Sequence, residues 1–226
     1  MRRSLFFVFI GIGGAVILLW LGFWQMQRLD WKLGVIDDID ARIAADPVEL
    51  PDMPDAATDA HLPVSVSGTL DAPFLRVLVS QKDIGAGYRI ISALDTGARR
   101  VMIDRGFVPV ARTDIPGHSE PVNVTGNLQW PQETDGFTPE PDISGNIWFA
   151  RDVDAMAQVL DTEPVLIVAK QTSFDDAPVS PLPVDTAAIP NDHLQYAVTW
   201  FSLAAIWSAM TLAFTLRARR APSQTS

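Results

Sequence analysis

The sequence predicts an α+β membrane protein, with two transmembrane helices flanking a mainly antiparallel β domain exported across the membrane. Three observations predict it. No Asp, Glu, Lys or Arg falls between Arg3 and Arg28, or between Asp192 and Arg217. The stretch between these gaps, residues 28–192, holds all 27 acidic residues against 12 basic ones, while the tails carry five arginines and no acid. Within that acidic stretch, short apolar runs alternate with turn residues in the manner of β-strands. The averages over 226 residues, 48% apolar and 19% charged with mean hydropathy +0.15, therefore blend two unlike parts. Such an asymmetry excludes a plain soluble enzyme, and the acidic middle argues against nucleic acid as a partner. Without cysteine the chain has no disulfide, zinc–thiolate site or iron–sulfur cluster.

Residues 1–4 form a basic tail. Residues 5–24 are twenty apolar or small residues, which at ~1.5 Å per helical residue cross the ~30 Å hydrocarbon layer. A cleaved signal peptide is the competing reading, because Arg2 and Arg3 precede the run. The apolar run is too long for that, and no small-x-small cleavage site follows it. Residues 194–216 form the second span, interrupted only by Gln195 and small hydroxyl residues. Basic tails stay on the cytoplasmic side. Both termini (residues 1–4 and 217–226) are thus expected inside, and the middle on the far face, most simply the periplasmic face of a bacterial inner membrane.

Residues 25–61 read as a short helix over 35–45 followed by an acidic, proline-bearing linker. Residues 62–174 read as the β domain. Its first run starts at Pro63 and is expected to stop at Gly68. A second begins at Phe74 after a turn at Asp71, Ala72 and Pro73. Others lie near 88–92, 99–104, 122–125 and 165–169, about six in all. Their short connections favour antiparallel hairpins. One helix is predicted over 152–160, with Asp152 as N-cap and Val153, Met156, Ala157 and Leu160 on its buried face. Residues 175–193 are a proline-rich tether returning the chain to the membrane.

No nucleophile elbow, zinc-protease motif, phosphate loop or dinucleotide fingerprint is present, and no catalytic residue is expected. Asp104 and Arg105, next to Gly106, read as an ion pair of structural role. His61 and His118, each alone in a polar loop, read as solvated. The outer ends of the two spans carry more information. At 100° per residue, His193, Tyr196, Ala197, Trp200, Ala204, Trp207 and Thr211 share one face of the second helix, with Asn191 as a plausible N-cap. Gly13, Trp20, Trp24, Gln27 and Trp31 share a face of the first. If those faces meet, they enclose a cleft with aromatic walls and an imidazole at its mouth. Tryptophan and tyrosine also gather at membrane interfaces for solvation alone, so spacing leaves the role of this histidine open. An imidazole is an ordinary axial ligand for haem iron. Arg28 and Lys32 at the same depth suit haem propionates or, equally, simple snorkelling to the interface.

Several segments resemble the surfeit locus protein family, the cytochrome c oxidase assembly factors. Leu21-Gly22-x-Trp24-Gln25-x-x-Arg28-x-x-Trp31-Lys32 is similar to the motif closing that family's first span. Asn191-x-His193-Leu194-x-Tyr196-Ala197-x-Thr199-Trp200 is similar to the one opening its second. Val101-x-Ile103-Asp104-Arg105-Gly106-Phe107-Val108-Pro109 resembles the central Arg-Gly-Trp-Val-Pro segment. Val122-x-Val124-x-Gly126-x-Leu128, together with Trp148, Arg151 and Asp152, fits in the same order. Phe107 stands where the family usually has tryptophan, and Ala93 where proline is common; both departures are expected to affect the exported domain's interaction surface.

The resemblance implies a non-enzymatic assembly factor for a haem–copper terminal oxidase, binding haem a and assisting its delivery to oxidase subunit I. His193 would be the iron ligand, Tyr196, Trp200 and Trp24 would line the pocket, and Arg28 would lie near the propionates. Implied partners are subunit I, membrane lipid and, as a further candidate, haem a synthase. A cofactor-free membrane scaffold that stabilises a subunit I assembly intermediate is the alternative. Whether the client is a cytochrome c or a quinol oxidase is not encoded in these motifs.

Overall fold

The computed structural model describes residues 2–82, 84–112, 114–116, 121–187 and 189–220, with the side chains of 2–5 and 218–220 outside that description. His118 lies outside it as well. The chain forms two units, Met1–Asp38 with Ala187–Ser226, and Ile39–Thr186.

The first unit contains α1 (Arg2–Ile43) as far as Asp38, its last five residues belonging to the second unit, and, at the other end of the chain, the helix His193–Arg220. Both contain stretches long and apolar enough to cross a membrane, with mean hydropathy 2.4 and 1.6. Most of their large apolar side chains, among them Phe9, Ile12, Val16, Ile17, Leu203, Ile206 and Phe214, face outward. That is the reverse of a soluble core helix, and it is the surface a lipid solvent requires.

The helical segments read separately over 5–24 and 35–45 are one helix. At ~1.5 Å per residue, the 42 residues of α1 extend ~63 Å, twice the hydrocarbon thickness. Gly34 does not interrupt it, since a single helical glycine costs only about 1 kcal/mol. Met26, Leu29, Lys32, Ile36, Ile39 and Ile43 are its half-buried positions beyond Gln25. Their spacing of three and four residues keeps one stripe covered across Gly34. The helix ends before Asp46 and Pro47. There the Asn127 Nδ2 donates to the Ile43 carbonyl at 3.3 Å, and the Arg42 guanidinium reaches the Thr58 carbonyl. Both contacts satisfy chain ends that would otherwise lack partners.

The second unit is a mixed β barrel. After the short β1 (Val48–Glu49) and α2 (Ala56–Asp59) come β2 (Pro63–Gln81), β3 (Gly85–Asp95), β4 (Arg100–Pro109) and β5 (Val122–Gln129). They are followed by α3 (Val153–Leu160), β6 (Leu166–Thr172) and α4 (His193–Arg220). The strand order is β1-β2-β3-β4-β6-β5, and a further pairing of β5 with β2 closes the sheet. Most ladders are antiparallel as expected; β4–β6 and β1–β2 are parallel. The parallel β4–β6 pairing is possible because a long crossover, containing β5 and α3, separates those strands in sequence.

Closure depends on β2. Its first half, Pro63 to Gly68, pairs with β5, and its second half, Thr69 to Gln81, pairs with β3. The runs expected to end at Gly68 and restart at Phe74 are thus one strand. The register shifts between Leu70 and Phe74, so the Asp71, Ala72 and Pro73 segment is a bulge that absorbs a residue without an N–H donor. Gly68 marks a close approach, since a Cβ there would lie 2.3 Å from the Asp95 carbonyl oxygen.

Inward residues Val64, Val66, Leu94, Val101, Ile103, Val124, Leu128 and Ile167 fill the barrel. The opposite faces of β2, β3, β4 and β6 present Val77, Ile91, Met102 and Leu166 to α3 and Trp148. Strand β4 is therefore covered on both faces, which is why it reads as a near-continuous apolar run. Helix α3 matches its prediction: Asp152 accepts from the Ala155 N–H at 3.0 Å, and Val153, Met156, Ala157 and Leu160 are buried. Among its described residues, the tether over 175–193 holds no regular element apart from a bridge between Ser180 and Phe107 before α4 begins at His193.

Candidate functional site

Within the first unit the two helices meet through small residues. A Cβ added to Gly11 would lie 2.1 Å from Thr211 Cγ2, one at Gly14 2.5 Å from Trp207 Nε1, and one at Gly22 2.6 Å from Phe201 Cε1. Trp207 Nε1 donates to the Gly11 carbonyl at 2.9 Å, and the Phe23 and Phe201 rings meet edge-on at 5.3 Å. On α4 the contact stripe includes Ala197 and Ala204, both buried.

The face expected on α4 therefore holds through Ala197, Ala204, Trp207 and Thr211. The face expected on α1 does not. Gly13 would meet nothing within 4 Å, and Trp20, Trp24 and Trp31 are 64%, 43% and 55% exposed. Packing in a membrane has no hydrophobic drive, so backbones approach where glycine permits and bulky rings turn to the outside. The aromatic cleft between two tryptophan faces is replaced by a glycine-lined seam flanked by outward aromatics.

At the outer end of that seam lies Gln25, which sequence reasoning missed. Gly11, Gly14, Gly22 and Gln25 follow one helical stripe, and a polar residue continuing a glycine stripe was the available signal. Gln25 is buried, and its Oε1 lies 2.8 Å from His193 Nδ1. Tyr196 is 54% exposed, and Trp200 is half-buried one and two turns along α4. Arg28 places its guanidinium 4.5 Å from the Trp31 ring centroid, a cation–π contact. Of the five expected site residues, the described contacts join none of Trp24, Arg28, Tyr196 and Trp200 directly to His193. Asn191 is not the cap of α4. The Tyr196 N–H bonds the Asp192 carbonyl at 3.1 Å, and the buried Asn191 Oδ1 finds no hydrogen-bond partner among the described residues.

An imidazole, an unsatisfied buried acceptor, outward aromatic rings and a cation on neighbouring turns fit an iron porphyrin by type of group. An apolar groove of about 660 Å³ lies toward the other end of the pair between Phe7, Trp207, Phe214 and Arg217. No histidine lines it among the described residues.

A second polar cluster lies in the barrel. Asp104 is fully buried; its Oδ2 accepts from Arg89 Nη1 at 2.6 Å and lies 3.5 Å from Arg151 Nη1, while its Oδ1 accepts from the Gly106 N–H at 3.1 Å. Arg89 also donates to the Leu182 carbonyl at 3.2 Å. Arg151 is in turn clasped by Glu133, whose carboxylate also accepts the Arg151 backbone N–H at 2.9 Å. Arg105 does not pair with Asp104. It is the inserted residue of a bulge where Ile91 faces Asp104 and Ile90 faces Gly106, and it pairs with Asp176 while donating to the Pro116 carbonyl at 2.8 Å. These pairs fasten the segments around 133, 151, 176 and 182 to β3 and β4. They place no nucleophile beside a base.

Phe107 and Ala93 are both buried, Phe107 packing over Gly87 and Ala93 behind α3. The departures at these positions thus alter the core and not an interaction surface. His61 is half-buried and not freely solvated: Gln129 Nε2 donates to its Nδ1 at 2.8 Å, and burial together with the nearby Arg42 charge lowers its pKa.

Burial pushes the Asp104 carboxyl up, against the pull of Arg89, Arg151 and the Gly106 N–H. Glu133 is pushed up by burial too, but its bonds to Arg151 prevail and hold it below its ordinary value. A lowered carboxylate contributes stability that is fully present above the unfolded pKa, about 4.3, and is lost as pH falls through the lowered folded value. The Glu133→Gln variant is therefore expected to melt below the wild type at pH 7, the gap narrowing below about pH 4. The Asp104 contribution runs the other way, being lost as pH rises through its raised value, and it is common to both proteins. Thermal midpoints of the full chain in detergent from pH 7 to 3 check this; a constant gap contradicts it.

Fold and site together define a protein with two long helices suited to a membrane, separated in sequence by a closed mixed barrel. The SURF1 family model matches residues 13–205, from the glycine stripe of α1 into α4. The chain is 32% identical over 213 residues to human Surfeit locus protein 1, covering 83% of this chain and 70% of that one. It is 30% identical over 210 residues to the Xenopus tropicalis protein of that name, covering 82% and 68%. With the Takifugu rubripes protein it shares 29% identity over 218 residues, covering 85% and 90%. The chain belongs to the SURF1 family.

Proposed function

We propose that the protein is a membrane-anchored assembly factor for a haem–copper terminal oxidase, binding haem a at His193 and assisting its delivery to subunit I. The observation that carries this reading is the state of His193. A carbonyl oxygen only accepts, so the 2.8 Å contact to Gln25 Oε1 occupies Nδ1 as the donor and leaves the Nε2 lone pair unused. Haem a, when bound, would supply a redox-active iron able to take a nitrogen donor, on a macrocycle bearing propionates and a long isoprenoid tail. His193 Nε2 offers the nitrogen, Trp24, Tyr196 and Trp200 the aromatic surface, and Arg28 a charge for a propionate. Keeping the tail among apolar helices avoids exposing it to water at ~0.8 kcal/mol per CH₂.

The basic tails support cytoplasmic termini, with the barrel in the periplasm of a bacterial cell. Subunit I and membrane lipid are the partners on this reading, with haem a synthase a further candidate. Protein purified from cells that make haem a is expected to carry a haem spectrum, absent when haem a synthesis is absent, and His193→Ala is expected to abolish or shift it. An unchanged spectrum in His193→Ala overturns the ligand assignment. Absence of any haem, with oxidase subunits still co-purifying, replaces this reading by a scaffold that acts through protein contacts alone.

A further inference from the structure

We infer that Gln25 is a positioning residue that holds His193 in the Nδ1–H tautomer and fixes its ring, so that Nε2 is presented as the free donor atom. The inference deepens the proposed haem site and rests on that reading only for its second half, the effect on iron.

Three features carry it. Gln25 is buried on the stripe by which α1 meets α4, one turn beyond Gly22. Burying a primary amide in an apolar seam costs free energy unless it is hydrogen-bonded, so the Gln25–His193 contact is a determinant of that end of the pair. The contact is 2.8 Å long and joins the amide oxygen to Nδ1. A free imidazole favours a proton on Nε2; an acceptor against Nδ1 reverses that preference. Finally, the two described histidines are set in opposite ways. His61 Nδ1 receives an N–H from Gln129, which requires the Nε2–H tautomer, whereas His193 Nδ1 faces an oxygen. One chain thus uses two glutamines to select two tautomers, and only the one at His193 leaves Nε2 open.

A ligating imidazole commonly gives its second N–H to an acceptor that orients the ring and raises its basicity, and loss of that acceptor typically costs about 10–100-fold in affinity. No feature of the barrel or of the apolar groove near Trp207 makes a comparable arrangement among the described residues.

The test uses the full chain in detergent, labelled with ¹⁵N at its three histidines, at a pH where imidazole is neutral. The His193 signals, identified by their loss in His193→Ala, should show a protonated Nδ1 and an unprotonated Nε2 without any haem present. Gln25→Leu should return the ring to the Nε2–H form and weaken binding in a haem a titration by about 10–100-fold. Gln25→Glu should restore the Nδ1–H form and lower the reduction potential of bound haem, because a carboxylate acceptor makes the imidazole more electron-donating. An Nε2–H tautomer in the wild type overturns the inference, and that measurement needs no variant to fold. So does haem binding that depends on His193 but is unchanged in Gln25→Leu, an outcome that leaves the proposed function standing. Conversely, the expected tautomer in a protein that binds no haem removes the proposed function and leaves the role of Gln25 in setting the ring intact.

Discussion

Asp104→Ala is expected to lower the stability of the protein by about 3–5 kcal/mol. The carboxylate is wholly buried and faces two guanidiniums, Arg89 and Arg151, whose side chains are themselves only 14% and 15% exposed. Removing it leaves two positive charges with little water and one fewer partner. Removing a partner costs far more than the pair contributes in the intact protein, because the desolvation already suffered is no longer offset. Arg89 retains the Leu182 carbonyl and Arg151 retains Glu133, so the loss is bounded. A fall of about 6–20 °C in thermal midpoint is expected for the full chain in detergent. Adding Arg89→Met to Asp104→Ala should recover part of it, since one stranded charge is then gone. A fall of less than about 2 °C in the single variant contradicts this account.

Gly106→Ala should cost about 3 kcal/mol or more and release the return segment from the barrel. Gly106 has φ of +124°, and a Cβ there would lie 2.1 Å from the Ser180 carbonyl oxygen. That carbonyl accepts from the Phe107 N–H at 2.7 Å, and the Ser180 N–H donates back to Phe107 at 2.8 Å, so the obstructed atom belongs to a two-bond bridge. Gly97 separates the two effects. It also has positive φ, +83°, but a Cβ there meets nothing within 4 Å. Gly97→Ala should cost only about 1 kcal/mol, the conformational share alone. Limited proteolysis within residues 175–192 reads out release of the segment; equal cutting in the two variants would show that the Ser180 contact does not hold it.

What the chain makes legible depends on the range of the interaction. Helix α3 is defined by Asp152 and four apolar residues within nine positions, and it folds as its spacing says. The buried stripe of α4 is local in the same way. Barrel closure is not, because Pro63 to Gly68 meet β5 across some sixty residues and nothing in the alternation of β2 states that it changes partner at a bulge. The partners of Asp104 are equally remote, at Arg89 and Arg151. In α1 the error came from weighting tryptophan over glycine. Large rings attract attention in a sequence, yet small residues decide which side of a membrane helix is covered. That choice hid Gln25, one position from the Trp24 that had been placed in the pocket.

The ring of strands has a consequence for how this protein meets others. The β5–β2 pairing joins β2, β3, β4, β6 and β5 into a ring, so among the described residues these strands present less open border than an open sheet would. Recruitment by main-chain zippering, a common route for extended peptides, is left to β1, which pairs only with β2, and to stretches that the ladders pair on one side only. The same closure leaves the domain less unpaired backbone to present to its own copies.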